Sequence, residues 1–309
     1  MDSGELEIEN QTPEIAVLIN ETGGSFKKTE DLTWNTIKSN CESDTKNILL
    51  WRGPPDEMSK IATQLIKQKI KRLVIGGGDG TISSVANKIA GTDVELGILP
   101  LGTLNHFAKD NGIPLVMDQA INLAINGNSK KVDVAKVNDE VFLNNSSIGL
   151  YPRITKVRNH KIEKLGMGKL FSLILAAWQI VSRMHLYKIS INVDGKIENR
   201  KASFVFVGNN EYTFALWELG KRKSLTQGSL SIYLGNQSTR WALFALALRG
   251  LFNRLDQAKD FKSYKAESLT LNTKHRKQLL VSLDGEVKNL QTPLNYQIYP
   301  QHLRVVVPD

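Results

Sequence analysis

The chain has 309 residues, with 41% apolar and 23% charged side chains, which excludes collagen-like, low-complexity and fully disordered classes. At roughly 100 to 200 residues per domain, two domains are expected, each large enough to bury a core. The formal charge is +9, and because residues 1–12 carry four acids and no base, the remainder is +13. Such a balance favours anionic partners.

In chain order, the acidic N-terminus (residues 1–12) lacks a basic-then-apolar export pattern and reads as a disordered tail. The single cysteine, Cys41, excludes an internal disulfide framework and any cysteine-clustered metal site. Together these predict a cytoplasmic location. From residue 13 to about 134, β-rich runs alternate with helical patterns: Ile15–Ile19 strand, Lys27–Asn40 helix, Lys46–Trp51 strand, Asp56–Gln68 helix, Arg72–Ile75 strand, Ile82–Ala90 helix, Val94–Leu99 strand. Strands apolar on both faces and separated by helices predict a parallel sheet covered on both sides, an α/β nucleotide-binding domain.

From residue 135 to 309 the pattern changes. Ile189, Ile191 and Val193 alternate with polar residues, as do Leu230, Ile232 and Leu234, then Leu269 and Leu271, and Leu303, Val305 and Val307. Period-two alternation predicts half-buried strands, hence an antiparallel β-sandwich or barrel. The last strand is free to pack back on the first domain. Helical insertions are expected at Gly168–Leu186 and Arg240–Leu255. The apolar run Leu170–Ser182 has 13 residues, short of the roughly 18 that a spanning helix needs.

Three motifs carry chemistry. Gly76, Gly77, Gly78, Asp79, Gly80 and Thr81 follow a buried strand and precede a helix. Glycines there permit positive φ and leave backbone N–H groups uncovered, and the helix N-terminus adds partial positive charge, so the segment reads as a phosphate cradle. The alternative is a plain strand-to-helix turn. Neither the dinucleotide fingerprint nor the P-loop spacing fits. Asp79 close to phosphate implies an intervening Mg²⁺.

The second motif, Leu99 to Ala108, contains Pro100, Gly102, Thr103, Asn105 and His106. Thr103 and Asn105 offer uncharged donors to phosphate oxygens, and neighbouring strand ends should set this loop beside the glycine loop; alone, it would read as a helix cap. The third, Leu283-Asp284-Gly285-Glu286, reads either as a β-hairpin Asp-Gly turn or as a carboxylate pair in which one member serves as general base.

In this order and spacing, the three motifs resemble the diacylglycerol kinase catalytic-domain family, which includes sphingosine and long-chain-base kinases and soluble bacterial lipid kinases. The resemblance spans residues 14–307 and includes Ile19-Asn20-Glu21-Thr22-Gly23-Gly24 and Asn144-Asn145-Ser146-Ser147-Ile148-Gly149. It implies an NAD-kinase-like αβα nucleotide domain followed by a β-sandwich lipid-substrate domain, with ATP and Mg²⁺ used to phosphorylate a lipid hydroxyl in the cleft between them. By position it implies that Asn20, Gly76 through Thr81, Ser84, Gly102, Thr103 and Asn105 serve ATP. Asp79 would reach the metal, Glu286 would accept the proton and Asp284 would support it.

Three departures stand out. Leu104-Asn105-His106 replaces the usual Gly-Asn-Asp, which removes an acid near the phosphates. Gln227, in Thr226-Gln227-Gly228-Ser229, replaces the acid that in relatives holds a structural Mg²⁺, which argues against that site. A nucleotide-contacting threonine of relatives is missing near Leu50 and Trp51.

Arg153, Lys156, Arg158, Lys161 and Lys164 precede the apolar stretch Leu170–Leu186, and Arg240–Leu255 combines apolar and basic residues. Such segments suit shallow insertion at an anionic, peripheral membrane surface; they suit equally a helical cover for the sandwich. Two rival functions are an NAD kinase, suggested by the glycine loop and Asn209-Asn210-Glu211, and a catalytically silent lipid- or nucleotide-binding module. Nucleic acid is not an expected partner, because no reading motif accompanies the charge. Neither the lipid nor the oligomeric state is specified by these patterns.

Overall fold

A computed structural model describes residues 13–22, 30–149, 186–212, 222, 224–235, 261–274 and 276–309. The acidic tail, the basic run 153–164, the insertion at 168–185 and that at 240–255 lie outside the described residues. The chain forms two compact units, residues 1–132 with 301–309, and residues 133–300.

The first unit runs β1 (Ile15–Asn20), α1 (Glu30–Ser43), β2 (Ile48–Gly53), α2 (Pro55–Lys67), β3 (Arg72–Gly77), α3 (Asp79–Ile89), β4 (Glu95–Pro100), α4 (His106–Asp110) and α5 (Met117–Asn126). The strands are parallel in the order β2-β1-β3-β4, and Arg304 and Val305 from the end of the chain add a fifth strand parallel to β4. Every residue of β1 and β3 is buried, as expected where helices cover both faces. One face packs Val17, Ile19, Val74 and Leu99 against Ile37 and Cys41 of α1 and Ile121 and Ile125 of α5. Burial of Cys41, with Asp44 and Glu42 nearby, pushes its thiol up to about 11, so it serves as a core side chain rather than a thiolate.

α2 shows how this sequence makes its helices. Pro55 opens it, Asp56 and Glu57 sit in the first turn, Lys67 in the last, and Met58, Ala62 and Leu65 form the buried stripe. α3 starts at Asp79, three residues before the expected Ile82, because Asp79, Gly80 and Thr81 carry no apolar periodicity.

The second unit contains β5 (Ser129–Val137, entering from the first unit), β6 (Glu140–Phe142), β7 (Asn145–Ile148), β8 (Tyr187–Val193), β9 (Lys196–Ala202), β10 (Val205–Asn209), β11 (Leu230–Gly235), β12 (Phe261–Ala266), β13 (Ser268–Thr273), β14 (Gln278–Leu283), β15 (Glu286–Gln291) and β16 (Leu294–Val306), whose residues from Gln301 belong to the first unit. One antiparallel sheet has the order β12-β11-β10-β7-β14-β15 and the other contains β16-β13-β8-β9. Their inner faces share a core that includes Phe142, Ile191, Val207, Ile232, Leu271, Val281 and Tyr296, the layered packing of a β-sandwich. The fold is thus α/β followed by an antiparallel sandwich. β9 has no apolar alternation to announce it: only Ala202 is buried, as suits a solvated edge strand.

Candidate active site

The first unit gathers three predicted segments at the carboxyl ends of its strands. Asn20 ends β1, Gly77 ends β3 and Pro100 ends β4, and Gly76 pairs with both Ile19 and Leu99. The order β2-β1-β3-β4 reverses between β1 and β3, and ligands of open α/β sheets bind outside the strand ends at such a reversal. Asn20 is buried there. Its Nδ2 donates to Thr81 Oγ1 at 2.8 Å, while its Oδ1 accepts the Thr22 N–H at 3.0 Å and the Thr22 hydroxyl at 2.8 Å. The turn after β1 is thereby tied to the start of α3.

The glycines are needed for closeness, not for positive φ as their composition suggests. None of Gly76, Gly77, Gly78 or Gly80 has a left-handed backbone. A Cβ on Gly76 would collide with Ile19 and Leu101, and one on Gly77 would sit 2.7 Å from Thr81 Cβ. Gly78 is extended (φ −89°, ψ 178°) and caps α3. Its Cα lies against Gly102, where a Cβ would strike Gly78 Cα and come within 2.8 Å of Asn105 Oδ1. The glycine loop and the second loop therefore touch through backbone, and the N–H groups opening α3 have no intrahelical partner.

Asp79 and Asn105 lock the two loops. Asp79 Oδ2 accepts the His106 N–H at 3.2 Å and Oδ1 accepts the Phe107 N–H at 3.0 Å, so its charge faces the start of α4, and His106 serves through its backbone. Asn105 adopts a left-handed conformation (φ 52°) that asparagine tolerates. Its Oδ1 accepts the Gly102 N–H at 2.9 Å, and its Nδ2 donates to Pro100 O at 3.2 Å and Gly102 O at 2.9 Å. Asn105 is thus the internal brace of its loop rather than an outward donor. Thr103 and Ser84 are exposed, with hydroxyls available to a ligand. Among the described residues no group of three or more His, Cys, Asp or Glu side chains gathers to hold a metal.

The second unit holds the third motif. Leu283 pairs with Glu286 across the two-residue loop Asp284-Gly285, whose φ values are 48° and 94°, a type I′ hairpin turn. The Asp284 carboxylate does more than turn the chain. Oδ2 accepts the Leu143 N–H at 2.7 Å, and Oδ1 accepts those of Asn144 at 2.8 Å and Asn145 at 3.0 Å. Asp284 is therefore a buttress for the start of the Asn144–Gly149 motif, and Glu286, paired with Leu283, is exposed at the start of β15. The hairpin reading is realised, and within it the Asp284 carboxylate accepts backbone N–H groups of Leu143, Asn144 and Asn145.

Sequence reasoning missed the surrounding braces. Asn209, fully buried, donates to Asp133 O at 3.0 Å and Leu143 O at 2.8 Å, and Arg222 donates to Leu143 O at 2.7 Å. Gln227 Oε1 accepts the Glu211 N–H at 3.2 Å. Asn209 and Gln227 stand out in the sequence for other roles, an NAD-kinase-like pair and a replaced acid, and their bracing has no local signature. In the first unit Arg72 was likewise unforeseen. It donates to the Ala124, Ile125 and Gly127 carbonyls at the end of α5 and pairs with Glu95 at 2.6 Å.

The chain is similar to known proteins. Residues 14–137 match the family described as the diacylglycerol kinase catalytic domain. The chain is 26% identical to a diacylglycerol kinase of Staphylococcus carnosus (strain TM300) over 250 residues, 79% of this chain and 78% of that one. It is also 26% identical to a diacylglycerol kinase of Staphylococcus aureus (strain RF122 / ET3-1) over 242 residues, 77% of this chain and 74% of the other. A crystal structure of a diacylglycerol kinase from Bacillus anthracis str. Sterne shares the fold, with a TM-score of 0.69 at 21% identity, covering 96% of this chain and 97% of that one. Residues 14–137 thus resemble the diacylglycerol kinase catalytic domain, and relatives bearing the name diacylglycerol kinase are similar to the chain over more than three quarters of its length.

Proposed function

We propose that the chain is an ATP-dependent kinase that transfers the γ-phosphoryl group to a hydroxyl of a diacylglycerol-like lipid at an anionic membrane surface, from the cytoplasmic side. The observation that carries this reading is the fusion of two loops at the β3 and β4 ends, with Gly78 against Gly102 and Asp79 accepting the first N–H groups of α4. The acceptor class follows from the names of the staphylococcal relatives.

The residues present suit a nucleotide triphosphate. A side chain at Gly78 or Gly102 would fill the seam between the loops, and N–H groups with no intrahelical partner open α3, which carries the Thr81 and Ser84 hydroxyls, while Thr103 is exposed next to Gly102. The Asn20 amide donates to Thr81 Oγ1, which leaves the Thr81 O–H to donate to a ligand. Mg²⁺ binds commonly through one carboxylate plus substrate phosphates, and Asp79 is the carboxylate that would supply it here; the ion, when bound, offsets phosphate charge. Phosphoryl transfer depends on positioning and charge stabilisation more than on covalent chemistry from the protein. A base is still required for the acceptor. Glu286 takes the hydroxyl proton as the new O–P bond forms, and Asp284 fixes the turn that carries Glu286.

A lipid panel incubated with ATP and Mg²⁺ and read by mass spectrometry tests this reading. Phosphorylation of diacylglycerol or a related lipid alcohol supports it, and a panel without any phosphorylated lipid refutes it.

A further inference from the structure

Three lysines form one rank across the outer face of the β13-β8-β9 sheet in the second unit. Lys188 and Lys201 are direct cross-strand partners. Thr273 faces Ile189 in the β13–β8 register, which sets the following residue, Lys274, opposite Lys188. The next rank on the same face is Asn272, Ser190 and Asn199. Ile189 and Ile191 alternate to the core side and are buried, whereas Lys188, Lys201, Lys274, Asn199 and Asn272 are exposed. These side chains line a groove of about 580 Å³.

Like charges directly opposite one another destabilise a sheet, and nothing described here neutralises these. Among the described residues no ion pair includes any of the three lysines. Glu198 pairs with Arg200 and accepts from the Tyr264 hydroxyl, and alternation puts it on the opposite face. Asp194 lies six residues from Lys188 along β8, about 20 Å, which exceeds two Debye lengths of about 8 Å. Its carboxylate accepts the N–H groups of Glu267 and Ser268. The face keeps its repulsion and adds amide and hydroxyl donors beside it, an arrangement that an anion completes.

We propose that this lysine rank docks the phosphate headgroups of an anionic membrane surface, with Ser190, Asn199 and Asn272 donating beside the ammonium groups. The proposal rests on the lipid-kinase reading, since a chain that phosphorylates a lipid has to be held at an interface. No aromatic side chain lines the groove, which favours headgroups over the stacked bases of a nucleic acid.

The test uses the full chain with Lys188, Lys201 and Lys274 all changed to Gln. Co-sedimentation is measured with phosphatidylcholine vesicles with and without phosphatidylglycerol. At about 1 kcal/mol per lysine near an anionic surface, affinity for the mixed vesicles falls roughly 10²-fold and loses salt dependence. The melting temperature does not fall, because the repulsion is relieved. Phosphorylation of diacylglycerol in neutral detergent micelles stays at the wild-type level. Wild-type vesicle binding by the folded variant overturns the docking face, as does tighter binding of duplex DNA than of mixed vesicles by the wild type through the same lysines. Absence of micellar activity in the wild type instead refutes the kinase reading, so the two failures are distinct. Should the triple variant not fold, Lys201→Gln on the edge strand β9 alone is expected to weaken vesicle binding about fivefold, and unchanged binding there overturns the proposal equally.

Discussion

Gly78 and Gly102 meet backbone to backbone, and their contact is lopsided: a methyl on Gly102 would run into Gly78 Cα, whereas one on Gly78 would rest 3.4 Å from Gly102 Cα. Gly102→Ala therefore forces two backbones apart and is expected to cost about 1–3 kcal/mol, as overpacking does. Gly78→Ala stays within about 1 kcal/mol of wild type, since its φ and ψ are open to any residue. Paired denaturant melts check the asymmetry, and equal losses would contradict it. Gly78→Asp is expected to keep the fold and abolish ATP binding, because its charge and bulk occupy the seam.

Asp79 holds the start of α4, so its loss should be felt in stability before any chemistry is measured. Asp79→Ala leaves the His106 and Phe107 N–H groups without their acceptors and is expected to cost about 1–2 kcal/mol. Asp79→Asn falls between, because one side-chain oxygen remains while its amide N–H meets a backbone donor. Thermal melts of both variants decide this, and an unchanged melting temperature in Asp79→Ala would refute the capping role.

The sequence made the strand, turn and helix order of the first unit plain, because β1 and β3 are apolar throughout and Gly76–Gly80 interrupts the chain sharply. It also placed the Asp284-Gly285 turn. It did not reveal why the glycines are there: closeness between Gly76 and Ile19, or Gly102 and Gly78, is a tertiary fact with no local signature. The same holds for Asp284, whose partners Leu143–Asn145 lie some 140 positions earlier. Asn105 read as a ligand donor because its type fits that task, yet a left-handed backbone turns both of its donors inward. β9 was invisible because an edge strand needs no apolar alternation.

Glu95 sets a pH dependence on the first unit. Burial pushes its carboxyl up, but hydrogen bonds from Ser129 and Arg72 and the Arg72 charge outweigh that and hold it below the usual range. With the folded value below the unfolded one, this stabilisation is complete above the ordinary carboxylate value of about 4.3 and is lost as the pH falls through the folded value. Glu95→Gln is expected to flatten that part of the stability–pH curve and to cost about 3 kcal/mol at neutral pH, since it leaves a buried Arg72 charge with carbonyl partners alone. Denaturation across acid pH checks it; an unchanged acid limb would contradict the assignment.

Asp284 and Glu286 separate support from chemistry. Asp284→Asn keeps a residue suited to the turn but sets an amide N–H against the Leu143 N–H, and is expected to lose about 1–3 kcal/mol of stability. Glu286→Gln, on an exposed position, should leave stability within about 0.5 kcal/mol. It should lower kcat by about 10² to 10⁴ with ATP affinity near wild type. Near-normal turnover in Glu286→Gln would return the Asp284–Glu286 segment to a purely structural turn.

The fused loops of the first unit are proposed to hold ATP for transfer to a lipid alcohol. The most direct measurement incubates the chain with γ-labelled ATP, Mg²⁺, diacylglycerol in micelles and NAD in one mixture, for wild type and Gly78→Asp. Label is expected in the lipid phosphate with wild type and none with Gly78→Asp. Label in NAD, or lipid labelling that survives Gly78→Asp, would contradict it.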